Sequence, residues 1–180
     1  MKSQRQMLFL SLIVLLVVFS ILAAGRPNKK KSNQVYTDVQ WGFQISAPDS
    51  EWTFTDTTGF SKVLLIMKFK KLVDGFIPNL SITAEFLPHM LTAENYVQKN
   101  LECLEEQGFE VQDKKRVIIH DNLFYDLMCL NRGVSPPLQF RYLCLVKVQI
   151  GFTITCTAPK EHYAEFNKVF EFAVRSFRFI

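Results

Sequence analysis

Histidine, cysteine and acidic side chains could carry out chemistry in this chain, but their spacing matches no catalytic pattern. The three histidines, His89, His120 and His162, lie far apart in the sequence. Asp121 directly follows His120 and suggests a base with an orienting carboxylate, but adjacent residues rarely provide that geometry and Asp-Asn is typical of a hairpin turn. The sequence contains no GxGxxG, P-loop or HExxH motif and no nucleophile elbow. We therefore predict no catalytic residues, no cofactor and no enzymatic activity.

The four cysteines also lack the spacing of a metal site. None belongs to a CxxC pair, and none has a histidine at the spacing of a zinc finger. An even number of cysteines permits disulfides if the chain is exported. The sequence therefore predicts no metal site, and it leaves the pairing of the thiols to be argued from the strands that carry them. The cysteines are Cys103, Cys129, Cys144 and Cys156.

Cys144 and Cys156 are the one pair for which the sequence offers a register. Gln149-Ile150-Gly151 resembles a three-residue hairpin loop with Gly151 in the left-handed conformation. This loop would place Cys144 opposite Cys156 on one buried face, with the two Cβ atoms about 4.5–5.5 Å apart. A disulfide around so short a loop restricts the unfolded chain only modestly. We therefore predict that the two thiols are adjacent, with the possible disulfide disfavoured.

The longest apolar stretch runs from Met7 to Gly25 and contains neither a charge nor a proline. As a helix, its 19 residues are just shorter than the roughly 30 Å of a hydrocarbon core. The small residues before Arg26 fit a signal-peptide cleavage site, whereas the length of the run exceeds the usual apolar region of a cleaved signal. Residues 1–25 are thus a signal-anchor or a signal peptide, and the length favours the anchor.

The charge of the remaining chain excludes nucleic acid as a partner. From Val35 onward there are 15 Lys and Arg against 17 Asp and Glu, a net charge of −2, although the whole chain carries +4. A nucleic-acid-binding domain normally shows a cationic excess. The positive charge is concentrated before the domain, and we interpret residues 26–38 as a basic polar linker that could also contact anionic headgroups.

Residues 39–180 have the length and pattern of a single α+β domain. Alternating apolar residues predict strands around 41–47, 62–71 and 80–86, with a short strand and turn over 51–60, and then a helix over 93–107 that Thr92 can cap. Four more strands follow around 115–120, 123–130, 139–148 and 152–157. A final helix runs from Pro159 to about Phe177, with an aromatic stripe that we expect to pack on the sheet.

The order of these elements resembles that of the PsbP/DcrB-like superfamily. The likeness covers about Val39 to Ile180. It rests on the opening segment GFQISAPDSEW, with Pro48 and Trp52, and on the closing strand and helix that end in Ser176-Phe177. The resemblance implies an αβα sandwich on a central antiparallel sheet, here preceded by an N-terminal hydrophobic helix. It also implies binding of other proteins rather than catalysis. The chain lacks the cysteine of a lipoprotein box, since Arg26 stands at that position.

These observations predict a non-enzymatic domain that binds or stabilises another protein of the cell envelope. Residues 7–25 would hold it at the membrane with the domain outside the cytoplasm, or would export it to the periplasm or medium after cleavage near Gly25. The alternative is a carrier of a small apolar ligand. A deep apolar pocket with a few polar groups would favour the carrier. A flat, exposed apolar patch would favour the protein-binding domain.

Overall fold

The computed structural model describes residues 34–55, 57, 62–87 and 91–180. The predicted membrane segment from Met7 to Gly25, and with it the N-terminal hydrophobic helix, lies outside these residues, as does most of the linker. Within the described ranges, neither helix combines the length and the apolarity that crossing a bilayer requires. Membrane attachment therefore stays a prediction from the sequence.

Ten strands and two α-helices follow one another in this part of the chain. The strands are β1 (Val35–Asp38), β2 (Phe43–Ser46), β3 (Trp52–Thr55), β4 (Val63–Phe69), β5 (Asn79–Phe86), β6 (Glu110–Ile119), β7 (Asn122–Asn131), β8 (Leu138–Lys147), β9 (Ile150–Pro159) and β10 (Arg178–Phe179). The helices are α1 (Ala93–Glu106), between β5 and β6, and α2 (Tyr163–Ser176), between β9 and β10. All strand pairs are antiparallel, which confirms the α+β class with an antiparallel sheet.

Seven strands form the main sheet in the order β3-β4-β5-β9-β8-β7-β6, and β1, β2 and β10 form a small second sheet. The first strand corrects the predicted boundary of the linker. Residues 35–38, which their polar neighbours assign to the linker, pair with β2, with Val35 opposite Ser46 and Asp38 opposite Phe43. A four-residue strand with little apolar content gives a weak sequence signal, and its partner β2 supplies the missing information.

The two helices cover opposite faces of the main sheet. Neighbouring residues of β8 point to opposite faces, and they contact different helices. Leu143 belongs to a core with Phe166 and Phe170 of α2. Tyr142 and Cys144, on either side of Leu143, belong to a second core with α1. The predicted aromatic stripe of α2 therefore packs on the sheet as expected, with Phe170 and Val174 fully buried.

Local sequence signals explain where α1 begins and ends. The Thr92 side chain accepts a hydrogen bond from Asn95 N at 3.2 Å, which satisfies one of the free amides of the first turn. Gly108 follows the helix with a φ of +80°, a conformation that favours glycine. The buried residues Val97, Leu101 and Leu104 follow the predicted apolar stripe.

The β8–β9 hairpin differs from its predicted register. Lys147 pairs with Ile150, so that the turn consists of Val148 and Gln149, both with positive φ (46° and 60°). Gly151 is thus a strand residue rather than the left-handed end of a loop. Such a two-residue turn matches the twist of the strands better than the longer loop that the glycine indicated. The register of the hairpin is three residues away from the predicted one.

This register separates Cys144 from Cys156. Cys144 lies opposite Thr153, and Cys156 lies opposite Arg141. A shift by an odd number of residues moves a side chain to the other face of a sheet, and the two thiols indeed belong to the two different cores. The prediction that they are adjacent is wrong. All four cysteines are free thiols, and three of them are buried.

A buried ion pair joins the centre of the sheet to α2. Arg141 donates two hydrogen bonds to the carboxylate of Asp126, both 2.9 Å long, and a third to Glu171 Oε2 at 2.7 Å. Arg141 is 8% exposed and Asp126 only 3%. Burial acts to lower the pKa of Arg141, but its hydrogen bonds to the two carboxylates outweigh burial and raise that pKa. A charge network this well paired holds α2 in register on the sheet.

Candidate functional site

An exposed apolar surface lies at the end of the domain where the β8–β9 hairpin turns. We call it the apolar tip. Its members lie on the β1–β2 turn, at the end of β5, at the hairpin turn and at the C-terminal residue. They are Val39 (83% exposed), Phe86 (76%), Val148 (86%), Ile180 (63%) and the half-buried Trp41.

Contacts between distant parts of the chain make the apolar tip one surface. The Trp41 and Phe86 rings are 5.4 Å apart between centroids. Ile180 N donates to Gly42 O at 2.9 Å, beside Trp41, and Leu87 N donates to Gln149 O at 2.8 Å, beside Val148. Trp41 also packs on the main core, with its ring 6.3 Å from that of Phe152. The tip is therefore continuous with the main core through Trp41.

Val148 adds backbone strain to this surface. Its φ of +46° is unfavourable for a β-branched residue, and its side chain is 86% exposed. Neither burial nor turn propensity explains a valine at this position, since Asn or Gly would suit the turn better. Strained residues with exposed apolar side chains are more frequent at interaction sites than elsewhere on a surface.

A small cavity of about 70 Å³ lies between α1 and the main sheet. Its walls come from α1, from β5, β7, β8 and β9, and from Gln107 just after α1 and Lys62 just before β4. Tyr96 crosses one wall, where its hydroxyl contacts Glu85 Oε1 at 3.2 Å and Thr153 Oγ1 at 3.3 Å. Thr153 also donates to Cys144 Sγ at 3.7 Å. The lining combines aromatic and aliphatic carbon with converging hydroxyl, amide and thiol groups.

Burial keeps the titratable groups of the cavity neutral or paired. Burial raises the pKa of Cys144 to about 11, although the hydrogen bonds from Thr153 and Asn100 act to lower it. Burial likewise raises the pKa of Tyr96 above its ordinary value. Burial also raises the pKa of Glu85, although the nearby Lys62 acts to lower it. Lys62 Nζ and Glu85 Oε2 form an ion pair of 3.4 Å at the edge of the cavity.

Two of the three histidines lie in the described part of the chain, and each contacts neighbouring protein groups. His120 occupies the β6–β7 turn with a φ of +46°, and its Nε2 lies 2.7 Å from Arg175 O, so that its role is structural. His162 pairs with Asp74 at 3.1 Å and Glu165 at 2.9 Å, and its hydrogen bond to Glu165 raises its pKa. His89 lies outside the described residues. Within those residues, no group of three metal-ligating side chains occurs.

Sequence reasoning found neither the tip nor the cavity. The tip joins residues more than 140 positions apart, and single exposed apolar residues are normal on any surface. The one available signal was Val148 next to a turn, which the predicted register placed in a strand. Tyr96 lies one position from the predicted stripe of α1, where the pattern alone gives it no role.

The domain has a seven-stranded antiparallel sheet with one helix on each face, and a small second sheet that contains β10. These features together define a PsbP-like fold. No family model matches the chain, and no curated protein matches it in sequence. Solved structures do match. The solution structure of cyanobacterial PsbP (CyanoP) from Synechocystis sp. PCC 6803 has a TM-score of 0.61 and 16% identity, over 88% of this chain and 99% of that one.

Two further structures show the same architecture. A protein of unknown function, PA94 from Pseudomonas aeruginosa, has a TM-score of 0.59 and 14% identity, over 80% of this chain and 94% of that one. The Ran-binding protein Mog1p from Saccharomyces cerevisiae has a TM-score of 0.55 and 10% identity, over 83% and 96%. The resemblance noted in the sequence is therefore confirmed at the level of the fold.

Proposed function

We propose that this protein is a non-enzymatic domain that binds another protein through the apolar tip, and that residues 7–25 attach it to a membrane of the cell envelope. The observation that carries the proposal is the tip itself. Trp41 and Phe86 supply aromatic contact area, and aromatic residues are enriched where protein interfaces derive most of their affinity. Burying such a surface against a partner removes apolar area from water.

Cationic side chains border the tip, and the N-terminal end of the described fold lies at the opposite end of β1. Lys147 and Arg178 are exposed beside it, and the Lys147 ammonium lies 3.7 Å from the centroid of the Phe179 ring. Gln34, where the described fold begins, accepts a hydrogen bond from Ala47 at the far end of β1 from the tip. A membrane segment joined at that end leaves the tip accessible to another protein.

The similar structures are consistent with a binding role. One of them is named as a Ran-binding protein. For this chain the proposal takes from that name only the general class, a fold that presents a surface to another protein. The partner of this chain would be another protein of the same membrane.

A carrier of a small ligand is the second candidate, and the cavity under α1 is the observation in its favour. Its volume of about 70 Å³ is far below the roughly 300–1,000 Å³ of a pocket for a drug-sized ligand. A lipid or another long apolar molecule would not fit there. The cavity therefore does not support transport of the apolar ligand that the composition suggested.

Co-purification from native membranes tests the protein-binding function. The full chain, Val148→Asp and Ile118→Asp would be extracted in a mild detergent and captured, and the co-purified proteins quantified by mass spectrometry. Ile118 is a matched control because it is 72% exposed but lies on β6, outside the tip. We expect a protein that is retained by the native chain and by Ile118→Asp and is depleted about tenfold by Val148→Asp. Equal recovery with all three chains would refute the proposal.

The intact mass of the extracted chain tests the attachment. We expect the measured mass to include residues 7–25. We also expect that the chain is released from the membrane only by detergent. A chain that begins at Arg26 and is released without detergent would show that the segment is a cleaved signal.

A further inference from the structure

Two polar atoms of the cavity under α1 have no hydrogen-bond partner within the described residues, and they point to a ligand. They are the hydroxyl oxygen of Tyr142 and Oε1 of Gln107. Both residues line the cavity, and Tyr142 is only 3% exposed. Most buried polar groups in folded proteins are paired, because an unpaired one loses its hydration without compensation. A molecule in the cavity could therefore pair with both atoms.

The charge of the cavity selects a neutral ligand. Cys144 is a neutral thiol at pH 7, since burial raises its pKa to about 11. Glu85 and Lys62 compensate each other in an ion pair of 3.4 Å. A carboxylate or an ammonium group in the cavity would therefore leave water without gaining a counter-ion, which is costly.

The size and the walls define the rest of the ligand. About 70 Å³ accommodates several water-sized groups, since one water needs about 10–15 Å³ by this measure. Leu104, Leu127 and the ring of Tyr96 provide apolar contacts, whereas Asn100 and Thr153 provide polar ones. A molecule of a few carbon atoms with one polar end would satisfy both kinds of wall.

We propose that the cavity binds a small neutral molecule with a short apolar body and an amide or hydroxyl end that pairs with Tyr142 and Gln107. The polar end donates to Gln107 Oε1 and exchanges a hydrogen bond with the Tyr142 hydroxyl. The existence of this site does not depend on the proposed protein-binding function.

Isobutyramide and isobutyrate are suitable probes because they have the same shape and differ in charge. Binding to the full chain in lipid nanodiscs would be followed by saturation-transfer NMR. Protection of Cys103 from alkylation gives a second readout, since Cys103 lines the cavity and is the one cysteine that is not buried. We expect isobutyramide to show saturation transfer and to slow the alkylation of Cys103 at least threefold, and isobutyrate to do neither.

Tyr142→Phe and Tyr163→Phe form a matched pair of variants. Each removes the hydroxyl of a buried tyrosine that has no partner in the described structure, but Tyr163 belongs to the core on the other face of the sheet. Tyr142→Phe should weaken isobutyramide binding at least tenfold without lowering the thermal midpoint, whereas Tyr163→Phe should leave binding unchanged.

Three results would overturn the proposal. The first is the absence of saturation transfer from isobutyramide even at about 50 mM, a concentration at which a ligand of millimolar affinity is mostly bound. The second is equal binding of the amide and the carboxylate. The third is unchanged binding to Tyr142→Phe together with a lower thermal midpoint, which would show that water alone pairs with the hydroxyl.

Discussion

Gly151 should be intolerant of any side chain, because the ring of Tyr96 lies directly against its backbone. A Cβ atom added at Gly151 would lie 2.5 Å from Cζ, 2.7 Å from Cε2 and 2.9 Å from the hydroxyl oxygen of Tyr96. These distances are shorter than carbon atoms tolerate. Gly151→Ala therefore requires the ring, and with it α1, to move.

The ring has little freedom to do so. Tyr96 is 5% exposed, and its hydroxyl contacts Glu85 and Thr153. Overpacking of this kind costs about 1–3 kcal/mol, and displacement of the hydroxyl would sacrifice hydrogen bonds worth about 1 kcal/mol. Alanine recovers about 0.5–1 kcal/mol because it restricts the unfolded chain more than glycine does. We expect a net loss of about 1–3 kcal/mol in the free energy of unfolding.

Urea denaturation of the full chain in detergent, followed by tryptophan fluorescence, measures this loss. The control is Gly133→Ala in the exposed β7–β8 loop, where the nearest atom to the new Cβ is the Asn131 side chain at 3.2 Å. A loss below about 0.5 kcal/mol would be typical of that surface position. In a Tyr96→Ala background, Gly151→Ala should cost nothing. An equal cost in both backgrounds would refute the role of the ring.

Three further perturbations follow from the structure. Asp126→Asn should lower the free energy of unfolding by about 3–5 kcal/mol, because it leaves the buried Arg141 underpaired; a loss below 1 kcal/mol in urea denaturation would contradict this. Burial raises the pKa of Glu85, so its ionisation lowers the stability of the fold as the pH rises through the raised pKa. Glu85→Gln should therefore gain stability relative to the native chain between about pH 4 and pH 7. A relative loss of stability in urea denaturation over that range would contradict this. Val148→Asn should raise the free energy of unfolding by about 1 kcal/mol by relieving the positive φ, and no gain would show that the turn is unstrained.

The fold class was predictable because its signals are local and repeated. The stripe of α1, the cap at Thr92 and the aromatic face of α2 are all visible within a few residues of sequence, and the structure confirms them. The alternation of Phe140, Tyr142 and Cys144 likewise identifies one face of β8. These patterns follow directly from the periods of helices and strands.

Register and assembly were not predictable from the same patterns. The sequence around Gly151 indicates a glycine needed for a turn, whereas the structure needs it under the ring of Tyr96, a residue 55 positions earlier. The turn instead occupies Val148 and Gln149, against their propensities. The pairing of Cys144 and Cys156 failed for the same reason, since one wrong turn changes the face of every side chain after it.

The candidate sites depend on such long-range contacts even more strongly. Trp41, Phe86 and Ile180 come together only when β1, β5 and β10 have found their places. The unpaired hydroxyl of Tyr142 is likewise a property of its surroundings and not of its sequence neighbours. No single segment of the sequence indicates either feature, because both depend on segments that meet only in the folded protein.

Site-specific photo-crosslinking shows whether the apolar tip contacts another protein in the membrane. Phe86 would be replaced by p-benzoylphenylalanine, which changes an exposed aromatic residue little, and Phe172 of α2 would be replaced in the same way as the control (43% exposed). Both full chains would be irradiated in native membranes. We expect a discrete crosslinked protein from position 86 that is absent from position 172. The same products from both positions, or none from position 86, would contradict binding through the tip.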